Sequence, residues 1–394
     1  MTKPKLLFSI FLIASCTLCL GAQTSHKKMP DWMLGPFARA KQGEPVILPD
    51  AKATFMDPIR KEPVHWEALH TFNPAAIVRD GKIVVLYRAE DNTGAMEIGG
   101  HTSRIGMATS TDGVHFDRRP TPVFYPANDA QKAREWPGGT EDPRIVEGPD
   151  GTYVLTYTQW NRKNYRVGIA TSRDLTHWKK WGPAFQDAGP KYATFLYKSA
   201  GIVTELKGGR LVAAKIRGKY WMFWGEKQIR LATSPDLIHW TPVEDAKGKT
   251  VVVLARRSGH FDSGFPEVGP PPLLTPKGIL LIYNGKNGDG ADRDKELGPG
   301  SYAAGEALFS AANPEKLLER SANPVLWPEM PYEMTGQYKA GTTFAEGLVY
   351  FKGKWFLYYG CADSRVGVVM AQGGGLALQS SLRWKCGLPT GKRL

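Results

Sequence analysis

Cysteine is scarce, with four in 394 residues. Cys16 and Cys19 lie in the first twenty residues, so only Cys361 and Cys386 remain, too few for a disulfide framework. Cys361 falls in an apolar strand-like run, and both are expected to be free thiols even in an oxidising compartment. Beyond residue 20, no segment approaches the roughly 20 apolar residues that a membrane-spanning helix needs. Metal-ligand spacing is missing too. The eight histidines show no close pairing with cysteines or acids at ligand spacing; the nearest approach, "GHFDSG" with His260 and Asp262, reads as a turn. The "GGG" at 373–375 precedes no helix with a suitable lysine, which excludes a phosphate-cradling loop. No metal and no cofactor are expected.

Acids are outnumbered, 38 against 51 Lys and Arg, for a formal charge of +13. The basic residues are spread along the chain, with small clusters only at Lys27–Lys28 and in the tail "RWKCGLPTGKRL". A nucleic-acid interface would concentrate them on one element. The spread fits a cationic surface facing anionic envelope polymers.

Glycine, proline and aromatics are plentiful: 43 Gly, 29 Pro and 11% Phe, Trp and Tyr, the signature of many short strands joined by turns. The N-terminus "MTKPKLLFSIFLIASCTLCLGAQ" has two lysines, an apolar run and small residues, and residues 1–22 read as a secretory signal. Two processing routes stay open: cleavage after Ala22, or a lipoprotein site at "IASC" in which Cys16 carries lipid. Either implies export from a bacterial cell, to the periplasm or as an outer-membrane lipoprotein.

Three segments repeat: "SRIGMATSTDGVHF", "YRVGIATSRDLTHW" and "KQIRLATSPDLIHW", with Asp112, Asp174 and Asp236 at a constant interval of 62 residues. A fixed period marks an array of similar supersecondary units. His115, His177 and His239 are read as turn residues of those units. A turn glycine before a β-run recurs at Gly81, Gly151, Gly209, Gly278 and Gly353. Five such runs predict an all-β, five-bladed β-propeller over residues 23–372, followed by a C-terminal extension, 373–394, with no assigned role and open to disorder.

In a propeller, polar turns from different blades converge on one central depression. The stretches that would meet there are "FNPAAI" (Asn73), "LYRAED" (Arg88, Asp91), "GGTEDPRIV" (Glu141, Asp142, Arg144), "YWMFWGE" (Glu226), "FDSGFPEVGPPPLL" (Asp262, Glu267) and "YYGCADSRVG" (Asp363). Trp66, Tyr87, Trp160, Trp221, Trp224 and Tyr283 lie beside them. Acids, arginines and flat rings around a wet pocket suit a carbohydrate, whose hydroxyls need polar partners and whose C–H faces stack on rings. The chemistry such acids permit is glycoside hydrolysis, with Asp142 as candidate acid and Glu226 and Glu267 as candidate bases.

The motifs "GGTEDPRIV", "FPEVGPPPLL" followed by "LIYNG", and the repeated "ATS-D-HW" resemble glycoside hydrolase family 130. The similarity runs from about Trp66 to Val368 and is closer to secreted β-1,2-mannosidases through "LYRAEDNTGAMEIGGHTSRIG". The resemblance implies a β-mannoside substrate, an inverting reaction releasing mannose, and Asp142 as general acid acting through a substrate hydroxyl. It places Asn73, Arg88, Asp91, Arg144 and Asp363 among sugar-binding positions, to which the reading of the aromatics adds Tyr283 as a substrate-binding candidate. Phosphorylases of the family hold phosphate with a His-Arg pair after a "KYWM"-like strand, where this chain has Glu226. Lys215 matches a basic residue of the phosphorylases and keeps phosphorolysis open. A third reading is a non-catalytic, glycan-binding propeller; a family 43 arabinanase type fits poorly, because "FNPAA" replaces its early aspartate.

Overall fold

Each repeated "S-x-D" corner is a self-contained hydrogen-bonding device. In the computed structural model, Ser110 Oγ accepts from the amides of Asp112 and Gly113 at 3.2 and 2.7 Å. Asp112 Oδ1 in turn accepts from Val114 and His115, both at 2.9 Å. Its second oxygen meets His115 Nδ1 at 2.7 Å, and the copies at His177 and His239 repeat this at 2.6 and 2.7 Å. The hydroxyl and carboxylate satisfy turn amides that no strand reaches, which is why these residue types recur. The three histidines are exposed turn residues.

The structure describes residues 29–40 and 43–373. The signal segment with Cys16, the tail from residue 374 and Cys386 lie outside the described residues. Among the described residues Cys361 is the free cysteine, and it is buried. No helix among them is long and apolar enough to cross a membrane.

Residues from Asp31 onward form one unit, and it is built almost wholly from antiparallel strands. The first run comprises His70–Arg79, Lys82–Glu90, Ser103–Ser110 and Asp117–Arg118. The second comprises Gly139–Glu147, Tyr153–Trp160, Tyr165–Ser172 and Lys179–Pro183. Ala200–Ile202, Lys219–Trp224, Ile229–Ser234 and Thr241–Pro242 make the third. In the fourth, Phe265–Val268 and Leu273–Thr275 pair with Gly278–Lys286, followed by Tyr302–Phe309 and Leu317–Arg320. The last run joins Thr343–Phe351, Lys354–Cys361 and Arg365–Gln372 to the N-terminal strand Ala38–Arg39. Two distant parts of the chain thus share one sheet.

Two-residue hairpins set the register. Asp80-Gly81 and Lys352-Gly353 both have positive φ at both positions (49° and 71°, 47° and 81°), the backbone that matches strand twist and that glycine adopts without strain. The glycine run from Gly209 behaves differently from the expected long strand. It makes only the short hairpin Thr204–Lys207 with Arg210–Ala213, and a second two-residue turn at Arg217-Gly218 then opens Lys219–Trp224. The extra turn signal "RGK" cut the run in two.

Apolar clusters fill the space between successive runs. Leu86, Ile105, Leu155 and Tyr157 join the first to the second, and Val146, Met222 and Trp224 join the second to the third. Phe223, Leu281 and Phe309 pack the third on the fourth. Leu280 and Ile282 meet Trp355 and Leu357 between the fourth and last. Val85 and Tyr87 meet Phe356 and Tyr358 between the last and the first.

Polar ties reinforce these contacts near the first strand of each run. Arg144 donates to the carbonyls of Val268 at 2.8 Å and Gly269 at 3.1 Å, and lies 2.9 Å from Glu346. A single guanidinium therefore links the second, fourth and last runs. Replacing Arg144 by Met should lower stability by roughly 3–5 kcal/mol, because Glu346 and two carbonyls lose their buried partner. Denaturant unfolding would check this, and a change below about 1 kcal/mol would refute the linking role.

Candidate active site

Three first strands carry a bulge, and each bulge re-aims a side chain. Register slips between Phe72 and Pro74, between Glu141 and Arg144, and between Ala345 and Gly347. Asn73, Asp142 with Pro143, and Glu346 are the residues left out of the ladder. Asn73 and Asp142 take φ of 45° and 46°, a left-handed backbone uncommon outside glycine and tolerated mainly by Asn and Asp. Asp363 adopts φ 50°. Strain of this kind collects where a side chain must be held for function.

These corners open on a cavity of about 330 Å³, whose walls include Asn73, Arg88, Asp142, Glu226, Glu267 and Asp363. Asn73 Nδ2 donates to Asp142 Oδ1 at 2.8 Å, and Arg88 Nη1 donates to the same oxygen at 3.1 Å. The other Arg88 amino group contacts Glu90 at 2.6 Å and Glu141 at 2.8 Å. Elsewhere on the lining Tyr165 donates its hydroxyl to Glu226 at 3.0 Å, and Ser199 donates to Glu267 at 2.5 Å. Lys198 Nζ stands 3.6 Å from both glutamates.

The electrostatics divide the acids. Burial pushes Glu141 up to about 7 despite the pull of Arg88. Burial acts on Asp142 as well, but Arg88, Lys198 and Arg144 outweigh it and hold Asp142 below the ordinary aspartate range. The Glu141–Asp142 pair therefore keeps one proton up to near neutral pH, on the Glu141 side. Burial raises Asp363 to about 7 and raises Glu267 above its usual range. Lys198 is desolvated, yet Glu267, Glu226 and Asp142 hold it firmly protonated.

Four expected sugar-binding residues stand elsewhere. Asp91 is buried against Arg104 at 2.8 Å and takes the Thr93 and Thr102 amides, so it braces the loop that carries Ile98 and Gly99 to the rim. Arg144 spends its donors on backbone carbonyls behind Asp142. Tyr283 is buried and gives its hydroxyl to Asp262 at 2.6 Å, within a cluster with Arg257 and Arg320. Lys215 is exposed, over the ring of Tyr220 at 4.8 Å. Of the expected aromatics only Trp160 lines the cavity; Trp66, Tyr87 and Trp224 are core, and Phe72, Tyr165, Tyr302, Tyr338 and Phe344 supply the other rings. Lys198 was not anticipated: "YKSAG" has neither repeat nor acid beside it, and only the left-handed turn at Ser199 (φ 55°) aims it inward.

The family model described as beta-1,4-mannooligosaccharide phosphorylase (Glyco_hydro_130) matches residues 51–373. The chain belongs to glycoside hydrolase family 130. A curated relative in the family, the 1,2-beta-oligomannan phosphorylase of Thermoanaerobacter sp. (strain X514), is 30% identical over 333 residues, covering 84% of this chain and 95% of its own. A glycosyl hydrolase structure from Bacteroides ovatus shares 52% identity with TM-score 0.85, over 87% of this chain and 95% of that one. Equal figures hold for a structure from work stating that this family of mannoside phosphorylases contains glycoside hydrolases targeting beta-1,2 mannosidic linkages in Candida mannan. Family 130 is an enzyme family acting on mannosides.

The raised Asp363 makes a signed prediction. Its protonated form is favoured in the fold, so its contribution is intact below pH ~4 and is lost as pH rises through about 7. The stability of Asp363→Asn relative to the unmodified chain should therefore climb between pH 4 and 7 and then level off. Urea unfolding across that range would show it; a difference independent of pH would disprove the buried, proton-holding placement.

Proposed function

We propose that this chain is an exo-acting, inverting β-mannoside hydrolase that releases mannose from β-1,2-linked mannooligosaccharides or mannan side chains. The observation that carries the reading is the part of the cavity lining where Glu226 and Glu267 both stand against Lys198. A phosphate dianion there would meet two carboxylates and one lysine already engaged with both. Water meets no such repulsion, and a carboxylate can take its proton.

In this mechanism Asn73, Arg88 and Asp363 grip the hydroxyls of the terminal mannosyl ring, with Trp160 and the neighbouring rings against its faces. Asp142 delivers the proton to the leaving oxygen through a sugar hydroxyl; because Arg88, Lys198 and Arg144 hold it ionised in the empty cavity, it takes up that proton as substrate enters and returns to the carboxylate when the bond breaks. One of the two facing glutamates takes a proton from water as the water attacks the anomeric carbon. The small cavity supports attack at a chain end.

We further propose that the antiparallel runs are the blades of one five-bladed β-propeller spanning residues 23–372. Support comes from the apolar clusters linking each run to the next and the last to the first. The pairing of Ala38–Arg39 with Arg365–Gln372 supports it as a clasp. Export, through the leader or a lipid on Cys16, completes the proposal.

The names of the curated relatives favour a second reading, phosphorolysis; Beta-1,2-mannobiose phosphorylase of the same Thermoanaerobacter strain is 28% identical. Digestion of β-1,2-mannobiose with and without inorganic phosphate separates the two. Mannose in phosphate-free buffer, first as the inverted anomer by NMR, is expected; obligatory phosphate with mannose 1-phosphate as product sinks hydrolysis. Asp142→Asn should lower kcat by about 10²–10⁴, as should whichever of Glu226→Gln and Glu267→Gln removes the base. No turnover by the unmodified chain, with glycan binding unchanged in Asp142→Asn, would leave only a glycan-binding role.

A further inference from the structure

Spacing along the chain gave no ligand cluster, but folding makes one beside the cavity. His70 opens the first strand of its sheet, opposite Glu90 at the end of the second, and His101 closes the following loop, with ligand atoms within 4.8 Å of one another. We propose that His70, Glu90 and His101 bind one divalent transition-metal ion of the zinc class at the border of the mannoside cavity.

The hydrogen bonds prepare both rings as ligands. His101 Nδ1 lies 3.1 Å from the Thr93 carbonyl, which can only accept. Nδ1 therefore carries the ring proton, and the Nε2 lone pair is free. His70 Nδ1 lies 3.0 Å from Ser364 Oγ, which has the Ala362 carbonyl at 3.2 Å as an acceptor; in the metal-binding tautomer the hydroxyl gives its single proton to that carbonyl. His70 Nδ1 is then the donor, and its Nε2 is free as well. Metal-bound histidines are oriented in this way, through the nitrogen that does not touch the ion.

Glu90 accepts from Arg88 at 2.6 Å, Ser103 at 3.3 Å and Gln337 at 3.0 Å. A carboxylate offers about four lone-pair positions, so one remains. Charge admits a cation, because Glu90 and Asp142 share the single guanidinium of Arg88, while Glu141 beside them keeps its proton up to near neutral pH. Glu90 and His101 are buried, whereas His70 is only half-buried and leaves a path for the ion. Two imidazoles and a carboxylate suit zinc or its neighbours better than calcium or magnesium, which prefer oxygen. An ion here would compete with Arg88 for Glu90, so it would touch the Asp142 grip whether the reaction is hydrolysis or phosphorolysis.

The test is calorimetric titration of the chelator-treated full chain with zinc chloride, with metal content measured after desalting. One zinc per chain is expected, weakened at least tenfold in His101→Ala and His70→Asn, within the range that loss of ligand support produces. Circular dichroism of each variant must match the parent. No zinc uptake by the parent at micromolar metal, or unchanged uptake in both folded variants, overturns the site.

Discussion

Burying several carboxylates around one guanidinium is costly unless every donor is used, and the cavity is organised by that demand. Arg88 lies between Glu90, Glu141 and Asp142, bonds Ser103 through Nε at 3.0 Å and rests on the Phe72 ring at 4.6 Å. No acid in the group can relax without leaving another unpaired. The protons that remain on Glu141 and Asp363 near neutrality are the other half of the balance, standing where a second cation would otherwise be needed.

The backbone supplies what side-chain chemistry alone could not. Ladder hydrogen bonding would turn Asn73 and Asp142 into alternating strand residues facing the core or the neighbouring run. A bulge with positive φ turns them toward the cavity instead, at a local conformational cost that the surrounding sheets absorb. Arg144 then fixes the bulge from behind by taking the Asp142 carbonyl at 3.0 Å while tying it to Val268 and Gly269. Positioning and stability are one network here, which explains why a residue of the "EDPR" motif is placed for packing rather than for sugar.

The two walls of the cavity differ in kind. One concentrates negative charge on a fixed cation and keeps a proton. The other sets Glu226 and Glu267 about Lys198, with Glu226 the more accessible at 17% side-chain exposure against 1% for Glu267.

Strand content, the "S-x-D" corners and the turn glycines were legible in the sequence, because each depends on neighbours within a few residues. The motif acids Asp142, Glu226 and Glu267 were legible too, since their local surroundings have more charge than a plain turn needs. Lys198, the bracing role of Asp91, the Tyr283–Asp262 cluster and the convergence of His70, Glu90 and His101 were not. Their partners lie tens to hundreds of residues away, or their orientation depends on one left-handed residue. Local hydrogen bonding writes itself into short sequence patterns; which distant charges must share a buried space is decided only when the sheets pack and water is driven out.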